Sequence, residues 1–335
     1  MLFSGCTAST KVKVQDGGIF KSVNQGNTWE QKVYIETVKK KVVDISKVDV
    51  GFIKFDPHDS RILYAGTSQG LYRTENSADQ WQLIFGAAGI SDLAMDLESR
   101  SIIYATLGNQ IFKTADSAIS WQPIYLESRP NIFMTQIAVD SADQSLIYAG
   151  NSSGDLIESR DYGSSWNTVY NFGGSAVTKI LVNPGNHNIV YVATSANGIW
   201  KTINRGQSWE NLLNNYSIAF PGSASYHWLD FYQGKGDSLL YASNYGILTS
   251  FDGGKTWQAR ELLTPPNTVN IKSIAQNPIN SQIIYYATDT ALYRTEDGGL
   301  NWQTQHLPTS RAASVLLIDF YNPDIIYLGT VKVKK

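Results

Sequence analysis

An Asn or Asp side chain recurs seven times at one position of an eight-residue motif, Ser/Thr-x-Asn/Asp-x-Gly/Ala-x-x-Trp, where an aspartate could act as an acid or a base. The seven residues are Asn24, Asn76, Asp116, Asp161, Asn204, Asp252 and Asp297. Three of the seven are asparagines, which cannot serve as general acids or bases. An Asn or Asp side chain can instead accept backbone N–H groups of its own turn. The motif therefore predicts structural turns rather than an active site.

Other patterns that could support catalysis are weak. Residues 150–154, Gly-Asn-Ser-Ser-Gly, match G-x-S-x-G, but they fall between two predicted strands, without the helix that follows a nucleophile elbow. The four histidines are scattered along the chain, and the single cysteine adds no zinc-binding spacing. The sequence therefore predicts no catalytic residue, no metal site and no cofactor.

Each motif ends in a tryptophan that opens the next strand. These are Trp29, Trp81, Trp121, Trp166, Trp209, Trp257 and Trp302. Such a side chain can bury ~150–250 Å² against neighbouring strands, so we expect each turn and its tryptophan to fasten one sheet. Successive motifs start 52, 40, 45, 43, 48 and 45 residues apart. These spacings suit one four-stranded propeller blade per repeat.

The ends of the chain hold complementary parts of one repeat. Residues 18–30 supply the last two strands of a blade, and residues 314–330 supply the first two. Pairing them would remove the free sheet edges of an open array. The sequence therefore predicts an all-β fold over residues 11–335: a single seven-bladed β-propeller of four-stranded antiparallel blades, closed by a composite blade from both termini.

The eight-residue turn resembles the Asp-box, or BNR, repeat of sialidases, sortilin-type receptors, two-propeller xyloglucanases and photosystem II assembly-factor propellers. The resemblance covers nearly the whole chain and implies a propeller fold. The arginine-isoleucine-proline motif of sialidases does not occur. Glycine fills the fifth turn position in five copies, but Ala78 and Ala118 replace it in two. We expect those two turns to be distorted, because glycine adopts positive φ without Cβ strain.

Composition excludes some classes of partner. The chain has 335 residues and a net charge of −2, so no overall basic field predicts nucleic-acid binding. It holds no apolar run long enough to cross a membrane. We expect a monomer whose contact with a membrane, if any, is through a lipid anchor.

The single cysteine lies close to the start of the sequence. Residues 2–6, Leu-Phe-Ser-Gly-Cys, resemble the lipobox of bacterial lipoproteins, in which the cysteine becomes lipidated. Five preceding residues are too few for a complete signal peptide, so this interpretation requires a shortened signal. It predicts an exported bacterial protein with a tether over residues 1–10, anchored through Cys6. The alternative is a free thiol.

Candidate ligand-binding residues fall in connections that a closed ring would place on one face, here called the loop face. Arg129, Arg260 and Arg311 lie in connections between blades. Tyr226, Trp228 and Tyr245 form an aromatic group in one repeat. Together they would suit an acidic protein segment or acidic sugar, since arginine binds carboxylates bidentately. The alternative is that the arginines are solvated and the aromatic rings pack between blades.

Two functions remain open. The favoured one is a non-catalytic binding or assembly propeller that recognises a protein or glycan through its loop face. The alternative is a carbohydrate-active enzyme, either a glycoside hydrolase or a sialidase relative. Two carboxylates about 5–9 Å apart in the central pocket would favour the enzyme.

Overall fold

The computed structural model describes residues 16–232, 235–268 and 270–333. Cys6 and the predicted tether lie outside the described residues. The first strands are β1 (Ile19–Ser22), β2 (Glu30–Gln31), β3 (Tyr34–Val38), β4 (Lys41–Asp44), β5 (Val50–Asp56), β6 (Asp59–Thr67), β7 (Gly70–Thr74), β8 (Gln82–Phe85), β9 (Ile90–Met95), β10 (Ile103–Leu107), β11 (Gln110–Thr114), β12 (Gln122–Leu126), β13 (Met134–Val139), β14 (Ile147–Asn151), β15 (Asp155–Ser159) and β16 (Asn167–Asn171).

The second half of the chain continues the same pattern. Its strands are β17 (Val177–Val182), β18 (Val190–Thr194), β19 (Ile199–Thr202), β20 (Glu210–Asn211), β21 (Tyr226–Phe231), β22 (Leu239–Ser243), β23 (Ile247–Ser250), β24 (Gln258–Ala259), β25 (Ser273–Gln276), β26 (Ile284–Ala287), β27 (Ala291–Thr295), β28 (Gln303–His306), β29 (Ala312–Ile318) and β30 (Ile326–Val331). A short 3₁₀ helix spans Leu212–Asn215. Among the described residues, no helix is long and apolar enough to cross a membrane.

Seven four-stranded antiparallel sheets form the blades of the ring. Blades 1 to 6 are β5–β8, β9–β12, β13–β16, β17–β20, β21–β24 and β25–β28. The composite blade has the strand order β2-β1-β30-β29, in which Ile19 pairs with Gly329 across the two termini. The predicted seven-bladed propeller and its closure by both ends of the chain are therefore confirmed.

The seven turns share one hydrogen-bond pattern. In blade 3, the Asp161 carboxylate accepts the Ser165 backbone N–H at 2.8 Å, and Ser159 Oγ accepts the Gly163 N–H at 2.8 Å. The expected distortion at the two alanines is wrong. Ala78 and Ala118 have φ values of 73° and 71°, in the left-handed region, and their N–H groups donate to the first residue of the turn as the glycines do. The surrounding bonds therefore hold an alanine in the left-handed region that glycine occupies elsewhere.

Basic side chains tie neighbouring blades together at the turns. Lys21, Lys113 and Lys201 donate their Nζ hydrogens to the carbonyl of the fourth turn residue in the next blade, at 3.0–3.1 Å. Each Nζ also lies 5.4–5.6 Å from the ring centre of a tyrosine on the neighbouring strand of its own blade. We call this contact an interblade latch. It satisfies a carbonyl that the left-handed turn residue directs away from its own blade.

Candidate functional site

The innermost strand of each blade contributes one side chain to a ring around the central channel. The seven residues share a position, because each pairs with a small residue of the second strand of its blade. They are Phe52, Asp92, Gln136, Lys179, Trp228, Ser273 and Val315, which we call the channel ring. The small partners leave room for them: a Cβ on Gly66 would lie 2.1 Å from Phe52 Cε1.

The strand just before the ring is bulged and tied to the next blade. The pairing shifts between Met134 and Gln136 in blade 3 and at the equivalent place in most other blades. At the bulge, Ser91 Oγ donates to the Met134 carbonyl at 2.7 Å, and Thr135 Oγ1 donates to the Val177 carbonyl at 2.6 Å. Such bulges re-aim side chains next to functional sites. Here they fix the level of the channel ring.

The channel has two unlike walls. Its cavity volume is about 650 Å³. Blades 1 to 5 supply a polar wall composed of Lys54, Asp92, Gln136, Lys179 and Asp230. Blade 6 and the composite blade supply mainly small and aliphatic side chains, with the amide of Gln276. The rings of Phe52 and Trp228 lie where the two walls meet. An apolar surface with a few convergent polar groups is typical of ligand sites.

Two charges of the polar wall neutralise each other. Lys54 Nζ lies 2.5 Å from Asp92 Oδ1 and also donates to the Leu93 carbonyl. Asp92 Oδ2 accepts the Ile137 backbone N–H of the next blade at 3.1 Å. Both carboxylate oxygens are therefore occupied, so Asp92 joins three blades rather than offering a free base.

The other two charges face the channel without an ionic partner among the described residues. The Lys179 ammonium makes neither a hydrogen bond nor an ion pair with any described residue. Asp230 accepts the Phe231 backbone N–H at 2.8 Å. Burial, and then the charges of Asp230 and Asp92, raise the pKa of the Tyr226 hydroxyl, which stays protonated at neutral pH. The site can therefore offer an ammonium, a carboxylate and a phenolic hydrogen-bond donor.

The three predicted arginines lie at separate blade junctions. Arg129 joins Glu127 and Asp155 on the loop face, at 2.6 and 2.5 Å, and half of its side chain is exposed. Burial opposes ionisation of Asp155, but hydrogen bonds from Asn171, Asn151, Arg129 and Ser153 outweigh it and lower the pKa to about 2. Ser152, the serine of the G-x-S-x-G match, accepts the Phe133 backbone N–H on its Oγ at 3.0 Å and contacts no histidine among the described residues.

Arg260 forms an interblade latch. Thr249 of blade 5 takes the position that a lysine or arginine holds in five blades and Glu158 holds in blade 3. Arg260 Nε donates to Thr249 Oγ1 at 3.0 Å. Its Nη1 reaches the carbonyl of Gly298, the fourth turn residue of blade 6. Its guanidinium carbon also lies 5.5 Å from the centre of the Tyr232 ring. These contacts direct its charge to the turn of blade 6, away from the channel.

Arg311 joins the composite blade to blade 1. Nη1 donates to the Val48 carbonyl at 3.2 Å and lies 3.1 Å from Asp49 Oδ1, while Nη2 donates to the Lys47 carbonyl at 3.3 Å. Arg311 shares no described partner with Arg129 or Arg260. The three guanidinium groups are thus not joined into one patch by any contact within the described residues.

Two of the three predicted aromatic residues lie in the channel, and the third lies outside it. Tyr226 and Trp228 line the channel, and Trp228 also packs on the core of blades 5 and 6. Tyr245 instead stacks edge-on against Phe220, at 5.1 Å between ring centres, in a groove on the outside of blade 5. The structure therefore brings two of the six predicted residues together.

Sequence reasoning missed Lys54, Asp92, Gln136, Lys179 and Asp230. A signal was available for Asp92, Gln136 and Lys179, because the channel ring occupies a position that holds a different residue in every repeat although its neighbours keep a common pattern. Core packing restricts the residue type at the neighbouring positions of the repeat, but it does not restrict the residue type at this one. The described residues hold no group of three or more His, Cys, Asp or Glu side chains placed to bind a metal ion.

Comparison with known proteins supports the same fold. A family model described as sortilin, neurotensin receptor 3, matches residues 154–246. No curated protein sequence matches the chain. A GH74 enzyme from Niastella koreensis superposes with a TM-score of 0.68 at 15% identity, over 93% of this chain and 53% of its own. The Xanthomonas campestris GH74 xyloglucanase gives 0.63 at 16% identity, over 90% and 52%.

A structure of YCF48 bound to a D1 peptide differs from these in length. It superposes with a TM-score of 0.64 at 15% identity, over 90% of this chain and 96% of its own. The chain thus spans about half the length of the two GH74 structures and nearly all of YCF48. The predicted resemblance to sortilin-type, xyloglucanase-like and assembly-factor propellers is confirmed, and at these identities it concerns the fold.

Proposed function

We propose that this chain is a non-catalytic binding or assembly propeller that recognises a protein or glycan where the central channel opens on the loop face. The channel ring supports the proposal, because it combines an aromatic ring with a lysine whose ammonium has no partner among the described residues, both inside one cavity. The match in length to YCF48, whose structure holds a bound peptide, supports a binding role for a single propeller.

The residues that we assign to the ligand are Lys179, Trp228 and Tyr226. The Lys179 ammonium would attract a carboxylate, Trp228 would stack on a flat apolar group, and the Tyr226 hydroxyl would donate a hydrogen bond. An acidic peptide segment or an acidic sugar meets all three demands. The half-exposed Arg129 side chain and the Tyr245 ring would add contacts outside the channel.

A carbohydrate-active enzyme is the second candidate. Asp92 and Asp230 are both close enough to Tyr226 to raise the pKa of its hydroxyl, so two carboxylates share this cavity. The ion pair of Asp92 with Lys54 opposes the idea, because a general acid must be able to hold a proton. Release of reducing sugar from xyloglucan, or of sialic acid from a sialoside, that disappears in Asp230→Asn would establish the enzyme instead.

We place the protein outside the cytoplasm of a bacterium, held by a lipid on Cys6. The lipobox-like residues 2–6 support this proposal. Mass spectrometry of the membrane fraction tests it, since a diacylglyceryl group on Cys6 would establish the anchor. Recovery of the chain in the soluble fraction with an unmodified Cys6 would refute it.

Arrays of synthetic peptides and of glycans test the binding role. We expect acidic members to bind and their binding to weaken with salt, since charges at a partly exposed site are screened over about 8–10 Å at physiological ionic strength. Trp228→Ala and Lys179→Met should each weaken binding about 10-fold or more, as truncation of a central contact does. Lys255→Met, at an exposed turn of blade 5, is the matched control. Equal binding by all three variants would remove the channel as the site.

A further inference from the structure

The hairpin β3–β4 is an element outside the seven blades. It leaves the outer strand of the composite blade and returns to blade 1. Lys39 and Lys40 form its tip with φ values of 49° and 67°, and Val38 pairs with Lys41 beside them. Adjacent residues with positive φ give the tight turn that suits a two-residue hairpin loop.

The foot of this hairpin is fixed to the propeller. Ile45 is fully buried, and its N–H donates to the Val33 carbonyl at 2.9 Å. The Tyr34 carbonyl accepts the Trp81 N–H at 2.8 Å, and the Ile35 carbonyl accepts the Gln80 side chain at 2.8 Å. Substitutions at the tip should therefore leave the fold intact.

The outer half of the hairpin exposes apolar side chains. All four residues of β4 are exposed, and Val42 has 61% of its surface in solvent. Val38 and Val43 are exposed by 43% and 39%. None of these three valines belongs to a core cluster of the propeller. A group of exposed apolar side chains can mark an interaction site.

The charges of the hairpin are separated along its length. Lys39, Lys40 and Lys41 are exposed at the tip and form no ion pair within the described residues. The acidic groups lie further back: Asp44 accepts the Ser46 N–H and hydroxyl at the foot, and Glu36 borders a groove against blade 1. The tip therefore presents three positive charges beside three valines.

We propose that this tip docks on an anionic lipid bilayer. The three ammonium groups would meet lipid phosphates, and the valines would enter the boundary of the acyl chains while the lysine stems extend back to the headgroups. A hairpin of five-residue strands is about 17 Å long and about 10 Å wide, so one of its faces offers on the order of 170 Å², far less than the ~800 Å² per partner of a stable protein interface. Clustered lysines beside exposed valines favour a membrane over a protein surface.

The first blade strand, β1, begins close to the hairpin foot. Gly18 lies against the hairpin foot, where a Cβ would be 2.6 Å from the Ile45 carbonyl oxygen. The chain therefore enters β1 beside the hairpin foot. The proposed hairpin contact does not depend on a lipid on Cys6.

Sedimentation with vesicles tests the proposal on the full chain carrying Cys6→Ser, which removes any lipid. We expect binding to vesicles of phosphatidylglycerol mixed with phosphatidylcholine, little binding to phosphatidylcholine alone, and loss of binding at high salt. Each lysine near such a surface contributes about 1 kcal/mol, and Lys40→Glu both removes one positive charge and adds a negative one. The change of about 2 kcal/mol should lower the partition coefficient about 30-fold. Val42→Asp should lower it as well.

Matched variants at another exposed site separate the hairpin from general surface charge. Lys255→Glu and Ile203→Asp alter an exposed lysine and an exposed isoleucine in the turns of blades 5 and 4, and both should bind vesicles as the parent does. Absence of binding to the anionic vesicles, or equal binding by the hairpin variants and these controls, would overturn the proposal.

Discussion

At the scale of single residues, the repeated acidic side chains act as acceptors within turns. A hydrogen bond from the Ser165 hydroxyl, followed by one from its backbone N–H, lowers the pKa of Asp161 to about 2. Asp116 and Asp297 have the same low value for similar reasons. The asparagines of other blades accept the equivalent backbone bond, as Asn204 does from Ser208 N–H at 2.9 Å. Ionisation strengthens these turns but is not required to form them.

This chemistry predicts an acid-sensitive component of stability. The folded-state pKa values of Asp116, Asp161 and Asp297 are depressed, so their contribution is complete above the ordinary value near 3.8 and is lost as pH falls towards about 2. We expect the triple Asp→Asn variant to show a flatter fall in stability between pH 4 and about pH 2, measured by urea unfolding. An unchanged slope would show that other carboxylates cause the acid sensitivity.

Substitution of Arg260 measures how much an interblade latch contributes to stability. Its guanidinium satisfies the Gly298 carbonyl across a blade junction, and hydrogen bonds of charged groups contribute about 1.5–3 kcal/mol. Arg260→Met should lower the free energy of unfolding by about that amount in chemical denaturation, with ligand binding unchanged. Arg160→Met, at an exposed ion pair with Glu158, should cost less than about 1 kcal/mol. Lost binding at full stability in Arg260→Met would instead favour the ligand role.

At the scale of the element, each blade uses its tight turns to aim the inner strand. Ala78 and Ala118 show that a residue other than glycine can adopt a positive φ where local hydrogen bonds hold it. The room available for a Cβ, and not φ alone, should therefore decide which glycines can be replaced. The equivalent turns of blades 2 and 3 provide a test. Gly108 and Gly154 have φ values of 58° and 84°, but their surroundings differ.

We expect Gly108→Ala to cost about 1 kcal/mol, because a Cβ there meets nothing within 4 Å and only the left-handed strain remains. Gly154→Ala should cost roughly 1–3 kcal/mol more, since its Cβ would lie 2.8 Å from the Ser175 carbonyl oxygen. Thermal unfolding of both variants measures the difference. Equal losses would mean that the backbone around Ser175 moves aside freely.

At the scale of the whole molecule, closure of the ring depends on a few contacts between distant parts of the chain. β1 pairs with β30, and the Thr330 N–H donates to the Gly18 carbonyl at 3.1 Å. Ser314 Oγ then donates to the Val50 carbonyl of blade 1 at 2.6 Å. The channel-ring residues lie at the same height along the channel because each blade is fixed to both neighbours.

Truncation before residue 323 should therefore open the ring. It removes β30 and leaves β1 and β29 without their central partner, so we expect the melting temperature to fall by roughly 10 °C or more. Deletion of residues 333–335, which follow β30, is the control and should have little effect. A truncated chain that melts with the control would contradict closure by the composite blade.

The sequence by itself determined the repeat, the turns and the composite blade. These follow from local chemistry, because an Asx acceptor, a left-handed residue and a tryptophan act within eight residues and recur with a blade-sized period. The complementary ends then leave one way to satisfy the free strand edges.

The tertiary structure alone decided which side chains face the channel and which are consumed at blade junctions. Arg260 and Arg311 looked available in the sequence, yet their partners, Gly298 and Val48, lie on neighbouring blades. Lys179 and Trp228 are 49 positions apart and line one cavity because the inner strands of the seven blades converge there. Contacts of that kind depend on closure of the ring, which no single repeat encodes.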